Sequence, residues 1–193
     1  MLNPSVQLIT PPASEPVTLA ELKAQARVNT GTAEDAELTR YLSAARELFE
    51  RRTGRAVLPT QFRQKFAGWP GDGLELWRGP VLSVESVKYI DPDGVTQTLT
   101  GWELDASGVP GVVLLPESLP ALHRWKTRPV AVEFTAGWPD ASEVPATVRT
   151  AILLLAAHYY RNREAFTDQA ARELPEGFAA VCDLFQTCLD WGH

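Results

Sequence analysis

The sequence predicts an α+β protein in which a helical bundle, formed by N-terminal and C-terminal helices, carries an inserted small antiparallel β domain. Apolar residues recur at helical spacing in residues 18–55 and again in residues 143–191. Between these segments, short β-type runs separated by Gly and Pro follow one another at intervals of about ten residues. A chain of 193 residues is also long enough to bury a sizeable core without disulfides or metals.

The N-terminal segment predicts two helices. Thr18-Leu-Ala-Glu21 has the spacing of a capping box, in which the Thr hydroxyl and the Glu carboxylate satisfy backbone amides, so a short helix is predicted over residues 19–27. A longer helix is predicted from about residue 33 to residue 53, because apolar residues there follow the spacing of a core-facing stripe. Gly54 is well placed to end it.

The middle of the chain predicts six or seven short strands. Asp91-Pro-Asp-Gly94 is typical of a tight turn and predicts a hairpin between the strands on either side. The spacing is compatible with a small antiparallel sheet, a sandwich or a barrel. The predicted strands are residues 61–66, 74–77, 84–90, 95–99, 102–105, 112–115 and 130–135.

The C-terminal third returns to helix. A helix predicted over residues 145–163 is apolar on nearly all sides, which indicates burial from several directions, either as the central helix or as part of an oligomer contact. A last helix is predicted from about residue 176 to residue 191. The residues expected at the core or oligomer contact are Ile152, Leu153, Leu154, Tyr159 and Tyr160.

These elements suggest four parts along the chain. Residues 1–17 are rich in Pro and Ser and predict an extended arm, either a strap between subunits that orders on assembly or a flexible tail. Residues 18–55 form the first part of the helical core, and residues 56–135 form the β insertion. Residues 136–193 complete the helical core and add a tail.

Composition and charge exclude several classes of protein. The net charge of −6 argues against a protein that holds nucleic acid by its phosphates. No apolar run approaches the roughly 20 residues of a membrane helix, and the first residues lack the pattern of a signal peptide. Cys182 and Cys188 lie six residues apart, a poor disulfide geometry on one helix, and are expected to be reduced.

The residues that usually carry catalysis form no recognisable constellation. There is no Gly-rich phosphate loop, nucleophile elbow, His-Glu-x-x-His or Cys-x-x-Cys pattern. The histidines His123, His158 and His193 are scattered, and Cys182 has no neighbouring His to lower its pKa. We therefore expect no catalytic residue, metal site or cofactor.

Tryptophan is abundant, with 6 residues in the chain, and five of these lie in or beside the predicted β region. Exposed aromatic platforms on β domains bind sugars or bases, whereas Trp residues near loops also plug the ends of sheets. A carbohydrate-binding module therefore stays open as an alternative. The five residues are Trp69, Trp77, Trp102, Trp125 and Trp138.

Several stretches, taken in order, resemble the bacteriophage head–tail connector (adaptor) family, which is also found in gene transfer agents. Together they cover most of residues 16–185. Each stretch is weak alone, and their order and spacing make the match specific. The stretches are Pro16-Val-Thr-Leu-Ala-Glu-Leu-Lys23, Glu34-Asp-Ala-Glu-Leu38, Ala44-Ala-Arg-Glu-Leu-Phe-Glu-Arg-Arg-Thr-Gly-Arg55, Val81-Leu-Ser-Val-Glu-Ser-Val-Lys-Tyr-Ile-Asp91, Phe134-Thr-Ala-Gly-Trp138, Val144-Pro145 and Ile152-Leu-Leu-Leu-Ala-Ala-His-Tyr-Tyr-Arg-Asn-Arg-Glu164.

The resemblance implies a non-enzymatic virion component that is assembled in the host cytoplasm. Such adaptors form a ring of copies under the portal protein, usually with the portal's twelvefold symmetry, so a dodecamer is expected. The ring extends the channel through which DNA passes without sequence-specific binding, and it docks a stopper or tail protein. No membrane partner is expected.

The resemblance also implies a role for the C-terminal segment, because that part of the family often reaches into the portal. The corresponding candidates for portal binding are Phe178, Phe185, Leu189 and Trp191. Other neck components, such as a stopper or a tail-completion protein, are the nearest alternatives. An unrecognised hydrolase is a more distant one.

Overall fold

The computed structural model describes residues 5–28, 31–71, 73–162 and 174–186 and confirms the α+β class. Within these residues there are four helices and eight strands. The helices are α1 (Leu19–Ala26), α2 (Asp35–Thr53), α3 (Ala146–Arg161) and α4 (Glu176–Phe185). The strands are β1 (Ser5–Thr10), β2 (Thr60–Phe66), β3 (Leu74–Leu76), β4 (Val81–Ile90), β5 (Thr96–Thr98), β6 (Glu103–Asp105), β7 (Gly111–Leu114) and β8 (Val130–Ala136).

The chain folds into two compact units. The β unit contains the described residues of segments 5–13 and 59–139, and the helical unit contains those of segments 14–58 and 140–186. Within the predicted N-terminal arm, Ser5–Thr10 is an edge strand that pairs antiparallel with β2 of the same chain. The helical unit is thus assembled from two segments separated by the strands, as the predicted insertion requires.

The β unit consists of two antiparallel sheets. The five-stranded sheet has the order β1-β2-β8-β4-β5, and the three-stranded sheet has the order β3-β7-β6. In β2 and β8 every second residue is buried, which is the pattern of strands with one face on a core. Phe62 and Phe134 lie directly opposite each other in this register, with ring centroids 5.8 Å apart. Their contact marks the centre of the larger sheet's core face.

A buried glutamine links the two sheets of the β unit. Gln64 on β2 donates to the backbone oxygen of Glu75 over 2.7 Å and accepts from the backbone N–H of Trp77 over 2.8 Å. Its side-chain amide therefore takes the place of a backbone partner for the segment that carries β3. A buried polar group is tolerated here because both ends of the amide are satisfied.

The predicted hairpin at residues 91–94 is confirmed. One carboxylate oxygen of Asp91 accepts from the backbone N–H groups of Asp93 and Val95, and Gly94 has a φ of 86°. These hydrogen bonds hold the pKa of Asp91 below its ordinary value, with the Gln97 side chain as the largest contributor. The turn chemistry explains these aspartates without a catalytic role.

In the helical unit, the predicted helix ends agree closely with the structure. The capping box is present, with Thr18 Oγ1 accepting from the Glu21 N–H and Glu21 accepting from the Thr18 N–H. Helix α2 ends at Gly54, which has a φ of 73° and donates to the Glu50 carbonyl. Both ends are determined by residues within one helical turn, which is why local sequence predicts them.

Helix α3 lies at the centre of the helical unit together with α2, because each of these two helices contacts all the other described helices. Its fully buried residues include Val148, Ile152 and Leu155. These contacts cover part of its apolar surface within the chain. A contact between subunits through the same helix stays a prediction.

The last described helix is shorter than predicted. Helix α4 ends at Phe185, and Gln186 is already extended, with φ −58° and ψ 123°. At this helix end the Phe185 carbonyl accepts from Arg55 Nε over 2.7 Å. The predicted continuation to residue 191 fails at Gln186, and residues 187–193 lie outside the described part of the chain.

Candidate functional site

The five core or contact candidates on α3 have different surroundings. Ile152 is fully buried, whereas Leu153 and Leu154 are half-buried. Leu154 lies towards α4, since a Cβ placed on Gly177 would lie 3.6 Å from its Cδ1 atom. Leu153 and Leu154 therefore keep part of their apolar surface accessible to another molecule.

The two tyrosines of α3 connect it to α2. The Tyr159 ring lies 6.2 Å from the Tyr41 ring, and burial raises the pKa of Tyr159. The Tyr160 hydroxyl donates to a Glu34 carboxylate oxygen over 2.7 Å. Both side chains thus link α3 to the α2 region, and the polar tip of Tyr160 is satisfied there.

The C-terminal candidates divide into packed residues and residues that the structure does not describe. Phe178 is fully buried, and its ring meets Phe49 edge-on at 6.5 Å. Phe185 is half-buried, 6.3 Å from the same Phe49 ring. These contacts hold α4 against α2. Leu189 and Trp191 lie outside the described residues.

The sequence prediction did not include two neighbours of this segment. Arg55 lies with its guanidinium carbon 5.6 Å from the Phe185 ring centroid, in addition to its hydrogen bond to the Phe185 carbonyl. Burial lowers the pKa of Arg55. Leu184 is 73% exposed on the outer face of α4. Helical periodicity could have identified Leu184 as outward-facing, whereas the Arg55 contact joins residues 130 positions apart.

A partly buried charge network stabilises the helical unit. Arg46, only 7% exposed, donates to Glu15 over 2.8 Å and to Glu50 over 2.7 Å. The other oxygen of Glu50 accepts from the Val57 backbone N–H over 2.9 Å. Burial raises the pKa of Glu50 even though Arg46 opposes this effect. The network ties the segments before α1 and after α2 to the same turn of α2.

Cys182 has the environment of a core residue. It is buried on α4, and burial raises the pKa of its thiol to about 11. A thiol with this pKa is protonated at neutral pH and is a weak nucleophile. Cys182 is free in the structure, and Cys188 lies outside the described residues.

The outer face of the larger sheet carries ion pairs between strands. Arg63 on β2 contacts Glu133 on β8 with N···O distances of 2.9 and 2.6 Å, and Lys88 on β4 lies 3.5 Å from the same carboxylate. The Arg63 guanidinium is the main cause that lowers the pKa of Glu133. Such solvent-facing pairs align strands and contribute little energy.

Three tryptophans of the β region have different surroundings. The indole N–H of Trp69 donates to the Pro120 carbonyl over 2.9 Å, and that of Trp102 donates to the Leu99 carbonyl over 3.1 Å. Both side chains are half-buried, and each is held by its hydrogen bond to a backbone carbonyl of the β unit. Trp125 is different, because it is 81% exposed.

Neither a metal site nor a membrane span emerges from the residues that the structure describes. No group of three or more His, Cys, Asp or Glu there is arranged to hold a metal ion. None of the described helices has the length and apolar character needed to cross a bilayer.

Comparison with solved structures shows similarity over nearly the full chain. A protein of the neck of an empty gene transfer agent particle, computed with C6 symmetry, is 31% identical with a TM-score of 0.78, covering 98% of each chain. A protein of the native gene transfer agent virion is 30% identical with a TM-score of 0.77, covering 97% of this chain and 98% of that chain. A protein of the native particle's neck, computed with C12 symmetry, is 29% identical with a TM-score of 0.75 and 98% coverage of both chains. No family model and no curated protein matches the sequence.

Proposed function

Because the chain belongs to the family of phage-type neck (connector) proteins that also occurs in gene transfer agents, we propose that it is the head–tail adaptor of such a particle. In this role it is a structural virion protein that forms a ring under the portal, extends the DNA channel and docks the neck or tail. The observation that carries the proposal is the similarity over both units at once, since the matched chains are covered almost from end to end.

A ring of copies is supported by the origin of the matched structures. Two of them come from necks computed with C6 and C12 symmetry. A ring needs heterologous contacts, in which two different surfaces of the same chain meet. The half-buried Leu153 and Leu154 are the α3 residues that we propose for such contacts. Twelve copies would match the symmetry of a portal.

The electrostatics suit a channel through which DNA moves. Strong phosphate binding would hold DNA in place, because each cation that contacts a phosphate adds affinity. The chain instead carries a net charge of −6. We infer that DNA passes the ring without sequence-specific binding, and that the protein acts by assembly rather than by catalysis.

For portal binding we propose a division of labour in the C-terminal segment. Phe178 and Phe185 position α4 through their contacts with Phe49. Leu189 and Trp191, together with the exposed Leu184, are then proposed to contact the portal directly. This refines the expectation from the sequence, in which all the aromatic residues of the segment were treated alike.

The proposed function is tested by mixing the purified chain with the portal protein of its own particle and imaging the mixture by electron microscopy. We expect rings with the symmetry of the portal, stacked on its lower face. Monomers alone, even in the presence of portal, would contradict the adaptor role. If the chain does not bind the portal alone but binds a portal–adaptor complex, it is instead a stopper or another neck component.

The C-terminal anchor is tested in the full-length chain with the double variant Leu189→Ala/Trp191→Ala and the control Asp190→Ala. We expect the double variant to bind portal at least tenfold more weakly, because apolar anchors dominate such contacts. Both variants should keep the helical circular dichroism of the unaltered chain. Equal portal affinity of the two variants would refute the anchor.

A further inference from the structure

The loop between β7 and β8 has an unusual composition for this acidic chain. Its residues 118–129 contain no Asp or Glu and hold Arg124, Lys126 and Arg128, although Glu117 lies just before them in the same loop. Between the first two lies Trp125, whose side chain is 81% exposed. The Arg124 guanidinium carbon lies 5.2 Å from its ring centroid. The loop therefore presents one large aromatic side chain surrounded by positive charge.

Trp and Arg together are the residues most enriched at the energetic centres of protein interfaces. An exposed indole offers a large apolar area for burial with only two rotatable bonds to order. Duplex DNA is a poorer match, because its bases are stacked and give an indole no face to contact. The composition of the loop favours a protein partner with an apolar recess and negative charge.

The β unit itself contains such a recess. It is an open groove of about 360 Å³ beside strand β7. Trp69 forms one wall and is fixed there by its hydrogen bond to Pro120 and by the Tyr89 ring at 5.8 Å. Leu114, in the groove, is 45% exposed. The apolar lining residues are Trp69, Pro70, Leu114, Leu115, Pro116 and Leu119.

Negative charge accompanies the groove. Glu117 is one of its lining residues. Glu103 on β6 lies directly opposite Leu114 in the β6–β7 register, and opposite residues in an antiparallel pair project to the same face. Both glutamates are exposed. The groove therefore complements the Trp125 loop in apolar character and in charge.

We propose that the Trp125 loop of one copy docks into the Trp69–Leu119 groove of the neighbouring copy. The indole of Trp125 fills the apolar recess, and Arg124 and Lys126 face Glu103 and Glu117. The Trp125 tip of the loop and the groove use different residues, so a tip that docks head to tail into the groove of the next copy makes a heterologous contact, which can close into a ring. This inference rests on the proposed function, since it specifies the contact between copies in the adaptor ring.

The first test measures self-association of the full chain by analytical ultracentrifugation. Trp125→Ala removes the indole and Leu114→Arg fills the groove with a cation. We expect each to weaken self-association at least tenfold, whereas the control Thr127→Ala, at an exposed position of the same loop, has no effect. Trp125→Ala keeps an intact groove, and Leu114→Arg keeps an intact loop. A mixture of the two variants should therefore form dimers through the one remaining loop–groove contact, but it should not form rings.

The second test exchanges charges at exposed positions. It therefore does not depend on whether Leu114→Arg folds normally. Glu103→Lys/Glu117→Lys places cations opposite cations and should weaken association. Adding Arg124→Glu/Lys126→Glu to the same chain should restore it, because the charges are then complementary again. Absence of rescue would overturn the pairing of this loop with this groove.

The outcomes separate this inference from the proposed function. If the unaltered chain forms no rings with portal, the adaptor role fails. If it forms rings and Trp125→Ala forms them equally well, only the proposed contact fails. Loss of salt-sensitive binding to a short DNA duplex in Arg124→Ala/Lys126→Ala, with unchanged self-association, would assign the loop to DNA and overturn the proposal.

Discussion

The β unit exposes six large apolar side chains in the described part of the chain, whereas the helical unit exposes one. Leu184 is the single example in the helical unit. In the β unit, the exposed side chains lie on the edge strand β1, on β4, beside the 91–94 turn, in the groove and on the Trp125 loop. They are Leu8, Ile9, Leu82, Val95, Leu114 and Trp125.

The two units also bury polar groups differently. The helical unit uses the Arg46–Glu15–Glu50 network, in which full charges fix the ends of segments. The β unit uses the neutral amide of Gln64, which replaces a backbone partner between its sheets. The helical unit is thus organised around its own interior, and the β unit keeps apolar surface available for other molecules.

The largest expected loss of stability comes from a substitution in the interior of the helical unit. Phe49→Ala removes a fully buried ring that contacts both Phe178 and Phe185, and it should lower the free energy of unfolding by about 4 kcal/mol. Urea unfolding followed by far-ultraviolet circular dichroism measures this change. Leu184→Ala, at a 73% exposed position, is the control and should shift the midpoint very little. Similar losses for both variants would show that the helical unit is not organised around Phe49.

A smaller effect is expected from the polar link in the β unit. Gln64→Leu leaves the Glu75 carbonyl and the Trp77 N–H without their buried partner, at a cost of about 2–3 kcal/mol. Trp fluorescence during urea unfolding reports this, because the five described Trp residues all lie in the β unit. Gln61→Leu, on the same strand with a hydrogen bond to the exposed Thr10, should cost much less. If Gln64→Leu were neutral, the amide would not be needed to join the sheets.

The smallest effect concerns the outer face of the larger sheet. Because Arg63 holds the pKa of Glu133 below its ordinary value of 4.5, this carboxylate stabilises the fold above that pH. The contribution is lost as the pH falls through the lowered pKa, and it should stay below about 1 kcal/mol because the pair is solvent-screened. Glu133→Gln should therefore reduce the fall in the free energy of unfolding as the pH is lowered below about 4.5. Arg63→Met should remove the same dependence, and a profile unchanged by either variant would exclude the pair as its cause.

The features that local sequence predicted are those whose physics is local. The Thr18–Glu21 capping box, the Gly54 helix end and the Asp91–Gly94 turn each depend on hydrogen bonds between residues at most four positions apart. The central position of α3 was also predictable, because an apolar surface on all sides of a helix must be covered. The resemblance to the connector family came separately, from the order and spacing of seven sequence stretches between residues 16 and 164.

The candidate surfaces were predicted less completely. The sequence identified Phe178 and Phe185 as important without distinguishing packing on Phe49 from an exposed anchor. Trp125 was counted with the other tryptophans of the β region, although its exposure sets it apart. The basic residues on either side of it were a signal in the sequence that pointed to an exposed loop.

The sequence by itself determined the fold class, the order of the helices and of the strands after β1, and most helix ends, because periodicity, capping and turn chemistry act within a few residues. Only the tertiary structure decided that Ser5–Thr10 pairs with β2, that Gln64 joins two sheets and that Arg55 ends α4. These contacts join residues far apart in the chain, and their partners are selected by packing. The groove beside β7 has the same origin, since its walls come from segments that meet only when the β unit folds.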